Sequence, residues 1–173
     1  MRSAATLTVE RLQRDCTEVV LDVHMLEIAR VAVDDQPTTD YSVRPFSSYG
    51  SALHIPLPPR AADDDGDGDG GGDGDGGAAC HRVRIEYQTS PESPSLDWME
   101  PSQTAGKERS FLFSQGQSVL NRSFIPCMDS CSVRITYTAC VVVPAPYVAL
   151  MVRLGLLDGW MDGWIEMIHQ HNL

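Results

Sequence analysis

Residues 82–87 read Arg-Val-Arg-Ile-Glu-Tyr, with Val83, Ile85 and Tyr87 alternating against Arg82, Arg84 and Glu86. Successive side chains of an extended chain point to opposite faces, so this run can bury one face and wet the other. The pattern recurs on both sides. Leu53, Ile55 and Leu57 alternate with Ala52, His54 and Pro56. Val133, Ile135, Tyr137, Ala139, Val141 and Val143 form the longest such series, with Arg134, Thr136 and Thr138 between them. Val19 to Val23 and Leu26 to Val33 are β-branched apolar runs around a bend at His24-Met25, and Ala5 to Val9 is a weaker strand candidate. No stretch before residue 145 holds a helical period. The expected fold is all-β, an antiparallel-rich sheet or sandwich.

Between the strands expected near Leu57 and Cys80, residues 63–77 read DDDGDGDGGGDGDGG. Asp and Gly offer no apolar surface to bury, and glycine loses the most entropy on ordering. The expectation is a flexible, disordered insertion over 61–79 within a domain spanning 1–151. Calcium is the functional alternative, because carboxylates suit hard cations. The run lacks the aliphatic residue a β-roll repeat needs and the closing Glu of an EF-hand loop.

Removing the seven aspartates of that run from the formal net charge of −11 leaves −4, an ordinary balance. With no basic cluster, nucleic-acid binding has no electrostatic footprint. Five cysteines at 16, 80, 127, 131 and 140 form no repeating spacing, which suits reduced thiols and a cytoplasmic location. Met1 to Arg11 lacks the apolar region of a signal peptide, and no segment reads as a membrane span. After Met151 the chain changes character, with Asp-Gly-Trp at 158–160 and again at 162–164. This tail, 152–173, can form a short amphipathic helix weakened by glycine, or dangle.

Residues 98–129 read as a polar, loop-rich segment that Trp98, Phe111, Phe113 and Phe124 can anchor to the core. Gln115 and Gln117 flank Gly116, and in an extended backbone both amides fall on one face. Such a pair suits recognition of a peptide's polar groups. It also suits ordinary loop glutamines that meet only water.

The block Phe111-Leu-Phe-Ser-Gln-Gly-Gln-Ser-Val-Leu-Asn-Arg-Ser-Phe-Ile-Pro-Cys-Met-Asp129 adds what periodicity cannot. Together with Ser90-Pro91, Pro101-x-x-x-x-Gly106-Lys107 and Val133 to Ala139, it resembles the N-terminal β domain of peptidase family M1. The likeness is to the branch of zinc aminopeptidases that holds aminopeptidase B and leukotriene A(4) hydrolase. The resemblance implies a domain leaning over a peptide cleft, with Gln115 and Gln117 as inherited substrate-binding candidates and zinc as the family's cofactor. It implies no catalytic residue and no metal ligand in this chain. None of His24, His54, His81, His169 or His171 fits H-E-x-x-H, and the family's G-x-M-E-N segment is missing too. Glu166-x-x-His169 with His171 is the nearest imitation, and histidines two apart do not share a helical face. The expectation is therefore an incomplete domain, inactive alone: an isoform, a piece of a longer reading frame or a relic. Its alternative is a non-catalytic interaction module binding a protein partner through an exposed sheet edge.

Overall fold

A computed structural model describes residues 1–13, 15–59, 79–150 and 164–165. Two compact units divide between Cys131 and Ser132. The first is built on two antiparallel sheets. One runs β1 (Arg2–Arg11), β7 (Ala79–Thr89), β3 (Leu26–Val33) and β4 (Gln36–Thr38), in that spatial order. The other runs β2 (Glu18–Val23), β6 (Gly50–Pro56) and β5 (Ser42–Ser47). A separate hairpin pairs β8 (Leu96–Met99) with β9 (Phe111–Ser114).

The alternating residues do what their spacing requires. Val83 and Ile85 of the central strand β7 are fully buried. Register sets Val83 between Leu7 and Val33, and Ile85 between Ala5 and Val31. In the second sheet Val19 lies opposite Ile55, and Leu21 opposite Leu53. The two inner faces share a single apolar cluster, closed at its margins by Leu57, Tyr87 and the half-buried Tyr41 and Ile125. Each such side chain contributes about 1.5–3 kcal/mol of transfer free energy.

The bend expected at His24-Met25 is present, with Met25 at φ 54°. The β3–β4 turn places Asp34 and Asp35 at φ 50° and 64°, the left-handed pair that a two-residue hairpin with the right twist demands. Asp tolerates that region better than most residues. Asp34 also accepts from the Arg82 backbone N–H and bonds the His81 ring, both at 2.8 Å. The His81 hydrogen bond holds the Asp34 carboxyl below its usual range.

The series from Val133 to Val143 is not a strand. Val133, Ile135, Tyr137, Val141 and Val143 are exposed. Among the described residues of the second unit, only β10 (Thr138–Ala139) pairs, in parallel, with β11 (Trp164–Ile165). Alternation states which face a strand would bury, but a strand persists only where neighbours pair with it and cover that face. The Asp/Gly insertion lies outside the described residues, as does the tail apart from β11.

Candidate functional site

The segment following β9 carries Gln115 and Gln117, and a polar framework holds it. Arg122 and Asp129 are both buried, at 7% exposure each. The carboxylate of Asp129 accepts from Arg122 twice at Oδ2, from Nε and from the backbone N–H, each at 3.1 Å. Arg122 Nη2 donates to the Asp129 carbonyl at 2.9 Å. Asp22 of β2 completes the network, with Oδ2 accepting from the Asp129 N–H at 3.0 Å and Oδ1 3.4 Å from Arg122 Nη1. The guanidinium lies over the Phe46 ring of β5 at 5.7 Å. Gly50 leaves it room, since a Cβ there would come within 3.1 Å of Arg122 Cδ. Arg122 thus fastens this segment to all three strands of the second sheet.

The same segment covers the C-terminal end of the outer edge of β2. The Asp22 N–H donates to the Cys127 carbonyl at 2.8 Å, and the His24 N–H to the Arg122 carbonyl at 2.8 Å. Cys127 is buried against that edge. Burial pushes its thiol up to about 12, and the carboxylates of Asp129 and Asp22 push the same way.

Three buried serines make the second attachment. Ser93 Oγ donates to the Ser123 carbonyl at 2.9 Å. Ser95 Oγ lies 3.2 Å from Ser93 Oγ and 2.9 Å from Ser123 Oγ. Ser95 then reaches the glutamine turn directly, its carbonyl accepting from the Gln115 N–H at 2.8 Å. The Leu120 N–H closes the turn on the Gly116 carbonyl at 3.0 Å. The Gln117–Ser118 peptide within it is cis.

Gln115 and Gln117 are both exposed on this turn. Their backbone is tethered while their amides are free to meet a ligand. Three of the four aromatic anchors expected from the sequence are not anchors, and the fourth, Phe124, is half-buried. Trp98, Phe111 and Phe113 are 57%, 51% and 38% exposed on the β8–β9 hairpin, and Phe111 stacks on Phe113 at 6.5 Å between ring centroids. Buried polar groups do much of that work, beside Ile125 on the apolar cluster, because a buried charge is stable when paired and hydrogen-bonded.

Among the described residues no group of three or more His, Cys, Asp or Glu side chains is arranged to hold a metal ion. His54 pairs with Glu18 and His81 with Asp34, on different sheets. Zinc therefore has no fitting donor set among them. Among the described residues, too, no helix is long and apolar enough to cross a membrane.

No family model matches the chain. Rat aminopeptidase B is 34% identical over 150 residues, covering 81% of this chain and 21% of that protein. Leukotriene A-4 hydrolase of Xenopus laevis is 36% identical over 152 residues, covering 88% and 23%. The chain is a homologue of these M1-family proteins. It spans about a fifth of the length of the relatives it matches. The structure of native yeast LTA4 hydrolase superimposes with a TM-score of 0.58 at 22% identity, over 74% of this chain and 18% of that one. The fold is that of the LTA4 hydrolase N-terminal domain.

Proposed function

We propose that this chain serves as the substrate-facing N-terminal domain of an M1-type aminopeptidase. Gln115 and Gln117 hydrogen-bond polar groups at the amino-terminal end of a peptide, while zinc and the general base come from a further domain. The observation supporting this is the presentation of both glutamines, exposed on a turn whose backbone is fixed at Ser95 and closed by Leu120. Ordering the backbone before a ligand arrives lowers the entropic cost of binding. The 173 residues contain no H-E-x-x-H, so they do not activate water for hydrolysis alone. The free cysteines among the described residues suit a reducing, cytoplasmic setting. The test is turnover of aminoacyl-arylamides with added zinc. No turnover is expected, whereas turnover that survives repurification and is abolished by a chelator overturns the reading.

A second reading, a non-catalytic interaction module, is favoured by the exposed aromatic hairpin and by the outer edge of β1, which pairs with no further strand among the described residues. The other outer strands are less available. β4 and β5 carry Pro37 and Pro45, which cannot donate to an added strand, and β2 is already bridged at Asp22 by Cys127. Capture of a protein partner that is lost when Trp98 and Phe111 become Ser would favour this module.

A further inference from the structure

We propose that Asn121 is a positioning residue for the glutamine turn, coupling Gly116 to the buried Arg122–Asp129 framework. The inference rests on the reading of Gln115 and Gln117 as substrate-facing, and adds the device that aims them. A Cβ built on Gly116 would lie 1.9 Å from Asn121 Oδ1 and 2.6 Å from its Cγ, so the asparagine amide rests directly on the glycine. The other end of that amide is fixed, since Nδ2 donates to Asp129 Oδ1 at 3.1 Å. Asp129 is held in turn by Arg122 and Asp22. An unbroken line of contacts therefore runs from β2, through two buried ionic groups, to the residue between the two glutamines.

The chemistry at each point is specific. Oδ1 of Asp129 receives Asn121 while Oδ2 serves Arg122, so the carboxylate orients both neighbours at once. An Asn amide donates at one end and presents a flat face to a backbone approaching it. Glycine is required at 116 by this contact rather than by its torsions, since 116 is not among the residues with a left-handed φ. Removing Asn121 leaves Asp129 its bonds to Arg122 and Asp22, so the framework survives while the turn loses its support.

The experiment is a double-mutant cycle of Gly116→Ala and Asn121→Ala in the full chain, read by NMR. The first readout needs no ligand: backbone heteronuclear NOEs of residues 115–118, compared with those of 19–23 and 53–57. The second is the Kd of an alanyl-alanine amide probe, followed through the Gln115 and Gln117 side-chain amides. Each single variant is expected to loosen 115–118 alone and to weaken probe binding about tenfold, the cost of ordering two side chains anew. Because the two groups occupy the same space, Gly116→Ala should change little further once Asn121 is Ala. Additive effects, or an N121A turn as rigid as the original, overturn the proposal. Should N121A fail to fold, Asn121→Ser supplies the same two readouts with a smaller void. A wild-type chain that shows no probe shifts overturns the substrate reading, and the NOE cycle still decides the role of Asn121.

Discussion

The two sheets and the segment over residues 90–131 are held together by opposite means. In the sheets, Leu21, Val31, Leu53, Ile55, Val83 and Ile85 are almost wholly removed from water, and cohesion is non-directional burial. In the segment, the buried groups include the polar Arg122, Asp129, Ser93, Ser95 and Ser123 beside Pro126 and Cys127, while Trp98, Phe111 and Phe113 face solvent. Apolar cores tolerate shape changes that conserve volume. A buried ionic framework tolerates little, because every partner lost leaves another unpaired. The region presenting the candidate site is therefore the one whose geometry is set by directional bonds.

Arg122→Met should break the comparison most severely. It strands two carboxylates, one buried, and is expected to cost about 3–5 kcal/mol in urea denaturation. Arg122→Lys should recover little, since a point ammonium cannot reproduce the Nε and Nη contacts. An Arg122 variant as stable as the original would place the ionic framework outside the stabilising interactions. Leu53→Ala, on the apolar side, should cost about 2–5 kcal/mol by the same method. Unlike R122M, it should leave the amide shifts of 115–129 close to native.

Ser123→Ala should cost about 0.5–1.5 kcal/mol, because Ser95 Oγ and the Leu120 carbonyl each lose one hydrogen bond and keep another, with Ser93 Oγ and with the residue 123 N–H. Trp98→Ala should change stability by less than about 1 kcal/mol, since its ring is already in solvent. A large loss there would show that the hairpin packs against something after all.

Cys127 gives a pH-dependent handle. Its thiol sits at about 12 in the folded chain, and burial lifts Tyr87 to about 12 as well. Both values are raised above those of the unfolded chain, so both groups contribute stability that is complete at neutral pH. That contribution is lost as pH rises from about 9 toward about 12. At pH 8, maleimide should label the exposed Cys80, Cys131 and Cys140 and spare Cys127. Prompt labelling of Cys127 in native protein would show that this end of the β2 edge is not covered.

The same contrast explains what was legible beforehand. Val19, Leu21, Leu53, Ile55, Val83 and Ile85 announce themselves because burial on one sheet face imposes a period of two. Val133 to Val143 carries that period as clearly and is exposed, since periodicity encodes a face but not the neighbour that would cover it. β4 and β5 are short and contain proline, and β8 and β9 sit among Ser, Pro and Gly residues, so neither pair has a signal of its own. The framework was not legible because Arg122 and Asp129 look like any loop charges. Their significance comes from Asp22, distant in the chain, and no local pattern relates them. Spacing across Gly116 set Gln115 and Gln117 on one face but left them equal to ordinary loop glutamines, and only the family likeness of the surrounding block favoured them as a site.

The cover on β2 also has a timetable. The bond from the Asp129 N–H to Asp22 spans 107 positions. On a ribosome adding about 5–20 residues per second, β2 therefore waits roughly 5–20 s for the segment that covers it. Throughout that interval its outer backbone groups are a template for any other nascent strand. Chains stalled at residue 121 should co-aggregate or recruit chaperones more than chains released after 131, and equal behaviour of the two would mean that another part of the polypeptide shields β2 first. Vulnerability in this domain is then concentrated in its manufacture, between the birth of one strand and the arrival of its cover.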